Sequence, residues 1–499
     1  MTLRWDAYAR PVRPEELASA LKGLHDWALD NAPVPEPELP RRLREHLGVA
    51  PSGLEIVTRE LSSYDQVNVQ VAIDALVEEG AISLDVIGLT VEHGFRPRLA
   101  ELAQRGSALG AEMEPGPVEY ASVDVGDRAV SCIRAGLLLV GEGDDRLAVL
   151  LTPPEDGEGL QLEAMATRRN YAERWLERVH ELMRERNVYR GKVLSFDGGH
   201  PFRPSPLTVR RLPEIARANI VLPPGTLERI ERHTAGFARH REAMRAHGRH
   251  LKRGILLHGP PGTGKTLTIM YLASLMPDRT VILLTGHAMS AIDEACQLAR
   301  SLDPAMVVLE DVDLVALGRT HYASNPILFE LLNAMEGLDE DADIIFALTT
   351  NRAELLEPAL ASRPGRIDLA VELPLPDDDA RRRLFELYAR GVTLDVASWP
   401  ALIESTAETS PAFIREVIRQ ATLRLIEREE AGPVTGDDLL SSVDDLKRQS
   451  GRLTASLLGG ERPPELDPLA ELDDEQPAEG EVVYEDLDDF LDDFPPRGG

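Results

Sequence analysis

The sequence predicts an α/β protein centred on a parallel sheet flanked by helices, with an α+β region before it and a helical subdomain after it. Three observations carry that prediction. Short apolar runs recur at αβ spacing: "GILLHG", "TVILLTG", "AMVVLED", "DIIFALTTN" and "LAVELPL". Strands of a parallel sheet covered on both faces read as continuous apolar runs of this kind. After residue 377 the spacing turns helical and stays so to about 450, whereas before 207 strand-like and helix-like segments are mixed, with no catalytic motif among them.

The chain has 499 residues, room for about three domains, and 43% hydrophobic content, enough for ordinary cores. No apolar stretch approaches the roughly 18 residues of a membrane span. The start, "MTLRWDAYARPVRPEE", lacks an apolar signal core, and the two cysteines, Cys132 and Cys296, form neither a disulfide framework nor a zinc pattern. A reducing cytoplasm is the expected location. Net charge is −31, which argues against general nucleic-acid binding.

In chain order, residues 14–30 have helical spacing, with Leu17, Leu21, Leu24 and Ala28 on one face, followed by the Pro-rich break "APVPEPELP". "LEIVTREL" alternates like a strand, and "QVAIDALVEEG" reads as a helix ending at Gly80. "VEYASVDV", "AVSCIRAGLLLVG" and "RLAVLLTP" read as strands, "TRRNYAERWLERVHELMRERN" as a long helix and "VYRGKVLSF" as a last strand of the N-terminal region. "DGGHPFRPSPL" at 197–207 reads as a linker.

The chemistry sits in the second region. "GPPGTGKT", residues 259–266, follows the strand "GILLHG" and opens the apolar helix "LTIMYLASLM". This is G-x-x-x-x-G-K-T in the context a phosphate-binding loop requires. Gly259, Gly262 and Gly264 let backbone N–H groups face phosphate oxygens, Lys265 reaches the β- and γ-phosphates, and Thr266 offers a hydroxyl to Mg²⁺. Pro260, Pro261, Thr263 and Leu267 complete the candidate nucleotide contacts. A second run, "VVLEDVD" at 307–313, ends in Glu310, Asp311 and Asp313. Acids at a strand end are costly unless a cation or hydrogen-bond donors meet them. A metal ion and an attacking water beside the phosphates meet that need, which makes ATP and Mg²⁺ the expected cofactors.

Taken together, residues 215–425, about 40% of the chain, resemble the ATPase module of the AAA family within the AAA+ superfamily. "GPPGTGKT" resembles Walker A and "MVVLEDVD" Walker B. "ALTTN" resembles sensor 1, with Asn351 near the γ-phosphate. "LLEPALASRPGRID" resembles the second region of homology, with Arg363 and Arg366 at the arginine-finger positions. The resemblance implies self-association into a ring, usually a hexamer, because such fingers reach a neighbour's nucleotide. With the pattern along the chain, the expected organisation is: 1–206, an α+β region of one or two modules for a client or adaptor; 207–376, the large ATPase subdomain; 377–450, a helical lid; 459–499, a Pro-, Asp- and Glu-rich acidic tail without order.

Three features depart from the family pattern. Walker B usually ends Asp-Glu, while here Glu310 takes the metal place and Asp311 the water-activating place, as in the branch of mitochondrial Rieske-protein chaperones. The span "TGHAMSAIDEACQLARSLDP" lacks the aromatic pore loop of threading rings, and core packing is the expected role of its Met289 and Ile292. In "ETSPAFIREVIRQATL", Pro411 replaces a usual Gly, and Arg415 reads equally as a second sensor or a solvated arginine. No H-E-x-x-H is present, and the end "FPPRGG" lacks the hydrophobic-Tyr-x ending of proteasome-docking ATPases.

The leading functional expectation is a protein-remodelling, chaperone-like ATPase. The alternatives are a nucleic-acid motor or loader, favoured by 11 Arg/Lys against 4 acids in 207–258, and an ATP-gated scaffold of low turnover. Residues 459–499 hold 15 acids and 2 bases, and Val483, Tyr484, Leu487, Phe490, Leu491 and Phe494 recur near helical spacing. That tail reads either as a solubilising segment or as a docking segment for a basic groove.

Overall fold

The computed structural model describes residues 19–24, 27, 37–90, 98–103, 114–153, 159–196, 207–212, 214–313, 342–355, 367–428 and 432–449. The read helix over 14–30 lies in large part outside them, as do the linker and the tail.

The N-terminal region is built on an antiparallel sheet of β1 (Ile56–Leu61), β2 (Ser83–Thr90), β3 (Glu114–Gly116), β4 (Glu119–Asp124), β5 (Ala129–Glu142), β6 (Asp145–Thr152) and β7 (Leu160–Ala166). Its order is β1-β7-β6-β5-β2-β3, with β4 on β5. β5 and β6 are apolar on both faces because both faces are covered. Leu138, Val149 and Leu151 point to helices α2 (Gln66–Glu78) and α3 (Tyr171–Glu185), meeting Ile73, Trp175 and Val179. Leu137, Leu139 and Leu150 point to the other face, onto Leu39, Leu43 and Leu47 of α1 (Glu38–Leu47). The period of two along each strand makes that division.

The second sheet holds β8 (Val193–Phe196), β9 (Leu207–Arg210), β10 (Arg253–His258), β11 (Thr280–Thr285), β12 (Ala305–Glu310), β13 (Ile344–Thr350) and β14 (Leu369–Glu372), in the order β14-β10-β13-β12-β11-β8-β9. All its neighbouring pairs are parallel except β8 with β9. The strand read from "VYRGKVLSF" as part of the N-terminal region is corrected here: it is β8, and it pairs with β11. Its apolar pattern specifies a strand but not a partner, and the open edge of β11 offers unpaired backbone groups that need one.

Helix α4 (Lys265–Ser274) covers one face through Ile269 and Leu272. Helix α5 (Ile292–Ser301) covers the other through Ile292, Ala295 and Leu298. The same core takes in Val67, Val125 and Cys132, so the N-terminal region and the second sheet share a continuous interior. Met289 and Ile292 are buried in it, and the turn Gly286–Ala291 is wound as a 3₁₀ segment.

Beyond β14, helices α6 (Asp378–Tyr388), α7 (Trp399–Ser405), α8 (Pro411–Glu427) and α9 (Gly436–Gln449) close around their own core of Phe385, Leu402, Ile414, Val417, Leu439 and Val443. Asp377 caps α6 by accepting from the Ala380 N–H at 2.8 Å, and Ser410 caps α8 by accepting from the Phe413 N–H at 3.2 Å. Pro411 is therefore well placed: at the first helical turn its missing N–H costs nothing.

Candidate active site

β10 is the second strand of the sheet, between the edge strand β14 and β13, so the loop that leaves it emerges at the sheet's carboxyl edge with a strand on either side. In register, His258 stands beside Thr350 on one side and Glu372 on the other. Gly259 leaves the strand at φ 140, and a Cβ there would come 2.3 Å from the Leu373 carbonyl oxygen. Gly262 has φ 76, and its Cβ would meet Ala412 Cβ and Ser410 Oγ at 2.8 Å. The chain passes through these two contacts because it has no side chain there. The Thr263 hydroxyl donates to the Pro260 carbonyl at 2.9 Å, and the Ala412 N–H donates to the Gly262 carbonyl at 3.3 Å. Pro260 and Pro261 are half-buried in the loop, Gly264 precedes the first turn of α4 at φ 93, and Thr266 and Leu267 are exposed on that turn. The free N–H groups and dipole of the α4 N-terminus make the loop an anion site.

Lys265 is buried, at 6% exposure. Its ammonium donates to the carbonyls of Gly259 and Pro260 at 2.8 and 2.9 Å and to Asn351 Oδ1 at 2.7 Å. Burial lowers its pKa, and the carboxylates of Asp311 and Asp313 oppose that shift. Asn351 stands between the two charges: its Nδ2 donates to Asp311 Oδ1 at 3.1 Å. Asp311 holds a left-handed backbone, φ 50, and its N–H donates to the Thr349 hydroxyl at 2.9 Å. A non-glycine residue in that region is uncommon, and such residues concentrate at functional sites.

Glu310 closes β12. Its Oε1 is buried with no hydrogen-bond partner among the described residues. Burial raises its pKa; a hydrogen bond from the Thr266 hydroxyl works the other way, and the Asp311 charge raises it further. The Thr266 hydroxyl meets the carboxylate, and Oε1 meets no hydrogen-bonding group among the described residues. Hard oxygen donors of this kind, beside a phosphate site, fit Mg²⁺.

The structure thus brings together the whole phosphate loop, Glu310, Asp311 and Asn351. Arg363 and Arg366 lie outside the described residues. Arg415 is exposed on α8. Asp313, to which the sequence analysis assigns no role, is 4% exposed and accepts from the Thr350 hydroxyl at 2.9 Å and the Asn351 N–H at 3.1 Å. It fixes the end of β13, and so Asn351. The available signal was its place two residues past Asp311, opposite a strand ending Thr-Thr-Asn. Ser410 and Ala412 were also missed as loop contacts, because they lie far along the chain from the glycine they touch.

A phosphate loop at the carboxyl edge of a parallel sheet, faced by acids and an amide from neighbouring strands, defines a P-loop nucleotide-binding module. Residues 255–375 match the model of the ATPase family associated with various cellular activities (AAA). The chain is 34% identical over 221 residues to the ATP-dependent zinc metalloprotease FtsH 2 of Sphaerobacter thermophilus, covering 42% of this chain and 34% of that protein. It is 34% identical over 208 residues to the proteasome-activating nucleotidase of Methanopyrus kandleri, covering 38% and 47%. It is 32% identical over 211 residues to the probable 26S proteasome regulatory subunit 4 of Caenorhabditis elegans, covering 39% and 47%. The chain spans a third to a half of the length of these relatives. No helix among the described residues is long and apolar enough to cross a membrane.

Proposed function

We propose that this chain is a Mg²⁺-dependent ATPase that assembles into a ring and remodels protein clients in the cytoplasm, with the N-terminal region as the recruiting part. The observation that carries the reading is the constellation Lys265–Asn351–Asp311 beside Glu310, whose buried oxygen has no protein partner among the described residues.

Each group has a task that its chemistry suits. The backbone N–H groups of residues 262–266 and the Lys265 ammonium hold the β- and γ-phosphates. Thr266 and Glu310 would hold Mg²⁺, which when bound neutralises charge on the phosphate oxygens. Asp311 accepts the proton of the attacking water. Asn351 orients that water against the γ-phosphate, and Asp313 positions Asn351. Arg363 and Arg366 complete a neighbour's site, an addition worth on the order of 10³–10⁵ in rate. Helices α6 to α9 act as the lid: Ser410 and Ala412 touch the loop at Gly262, so a change at the phosphates moves α8.

Met289 and Ile292 face the core shared with the N-terminal region rather than a pore. Work on a client is therefore delivered through that shared core, by shifting the N-terminal region, and not by loops that grip a threaded chain. A second reading, a nucleic-acid motor, has one observation in its favour, the exposed basic surface at 237–250.

The test mixes two inactive variants. Arg363→Ala subunits and Lys265→Ala subunits, combined into mixed rings, recover part of the ATPase rate, because intact fingers of one meet intact loops of the other. No recovery at any ratio, with mixed rings confirmed, would place Arg363 within its own subunit and remove its role across the interface.

A further inference from the structure

We propose that the basic surface formed by residues 237–253 is the docking site of this chain's own acidic tail, residues 459–499.

The surface is compact in sequence and in space. Two short helices, Phe237–Arg239 and Arg241–Ala246, and the turn that leads into β10 carry six Lys/Arg against the single acid Glu242, in a chain of net charge −31. Arg239, His240, Arg245, His247, Arg249 and His250 are exposed. Part of the charge is used locally. Arg253 lies 3.3 Å from Asp368 with its guanidinium 4.0 Å over the Phe237 ring, and Arg241 lies 3.9 Å from Asp343. Arg239 and Arg249 have no ion-pair partner among the described residues. In a protein with 85 acidic side chains, unpaired exposed arginines at both ends of one surface mark a place where an anion is expected.

The tail is complementary in charge, and its attachment point is known. It carries 15 acids and 2 bases, interleaved near its end with Tyr484, Leu487 and Phe490. The described chain stops at Gln449, on the last helix. Position 490 is 41 residues further on, a span of up to about 130 Å when extended, so both its own subunit and a neighbouring copy are within reach. A few exposed ion pairs bind weakly in trans. A tether of this kind supplies an effective concentration on the order of millimolar, which turns weak pairing into substantial occupancy at low salt. Screening makes the contact salt-sensitive.

The test uses the full chain and no nucleotide, so its outcome is separate from that of the ATPase reading. A photoreactive benzoylphenylalanine is placed at position 490, irradiated at 0.05 M salt and mapped by peptide mass spectrometry. The expected cross-links fall within 237–253, and their yield drops at least fivefold in the Arg239→Glu, Arg249→Glu double variant and at 0.5 M salt. Mixing isotopically labelled copies tells same-chain from neighbour docking, and either supports the proposal. Absence of cross-links, cross-links confined to other segments, or a yield indifferent to both charge reversal and salt overturns it. So does protein that purifies with nucleic acid and loses it on the same charge reversal, since the surface would then belong to that polyanion. Should the double variant fail to fold, the salt comparison decides alone.

Discussion

The two ends of the second sheet both bury charge, and they treat it in opposite ways. At the amino end, the Arg279 guanidinium donates to the Ala305 and Asp343 carbonyls at 2.8 and 2.7 Å and to Asp343 Oδ1 at 2.6 Å. Both side chains are almost fully buried; Asp343 Oδ2, like Glu310 Oε1, has no hydrogen-bond partner among the described residues, but the Arg241 guanidinium approaches it at 3.9 Å, so two cations face this carboxylate. The cation and anion neutralise each other and tie the starts of three strands together. At the carboxyl end, Lys265 reaches an amide and two carbonyls rather than a carboxylate, while Glu310 keeps a buried oxygen with no partner among the described residues. Charge paired within the protein serves the fold. Charge left short of partners at a strand edge is kept for a ligand and costs stability in the meantime.

That contrast can be broken at either end. The largest effect is expected for Lys265→Ala, which removes the charge aimed at the phosphates. ATP affinity should fall about a hundredfold or more, the worth of one or two charge-assisted hydrogen bonds, and turnover should fall to background. Calorimetry checks the first and phosphate release the second; unchanged affinity would undo the phosphate-loop assignment. Next, Asp311→Asn keeps the side-chain shape and lowers turnover by about 10²–10⁴ while ATP still binds, the usual loss for a removed proton acceptor. Should Glu310→Gln give the ATP-holding form while Asp311→Asn loses Mg²⁺ dependence, the roles of the two acids are reversed.

At the other end, Arg279→Ala leaves Asp343 buried with only the longer contact to Arg241 at 3.9 Å. It should cost about 3–5 kcal/mol of stability, read from denaturant unfolding, with ATP affinity of the folded protein unchanged. A comparable loss of affinity at full stability would mean that the two ends are not separate in function. The smallest effect sharpens the comparison from the stability side. Burial raises the Glu310 pKa, so its ionised form is the unfavourable one in the folded state. A raised carboxylate stabilises the fold below its unfolded pKa, and that contribution is lost as pH rises through the folded value. At pH 7 without Mg²⁺, Glu310→Gln should therefore raise the melting temperature by about a degree or two, and the gain should vanish as pH falls toward the ordinary glutamate range. The same variant loses Mg²⁺-dependent turnover. A fall in melting temperature would show Glu310 to be a structural acid.

The candidate phosphate loop was legible because its motif is local: glycines, lysine and threonine fall within eight consecutive residues, between a strand and a helix that the apolar pattern also marks. Glu310, Asp311 and Asn351 were legible because each ends a strand, and parallel strands bring their ends to one edge. Asp313, Ser410 and Ala412 were not, since each acts across a contact between segments far apart in the chain. The strand Val193–Phe196 was legible as a strand but not as a member of the second sheet, for the same reason.

What the sequence determined by itself was periodicity and short-range chemistry: the parallel sheet, the helical C-terminal part, the phosphate loop, the acids at the strand end and the opposed charges of the 237–253 stretch and the tail. Tertiary structure decided which strand edges pair, that Met289 and Ile292 turn into a core shared with the N-terminal region, that Asn351 bridges Lys265 and Asp311, and that one buried oxygen of Glu310 goes without a partner among the described residues. Patterns with periods of two or of 3.6 residues are written along the chain. Desolvation and hydrogen-bond satisfaction depend on everything that surrounds an atom, and only the folded packing settles that.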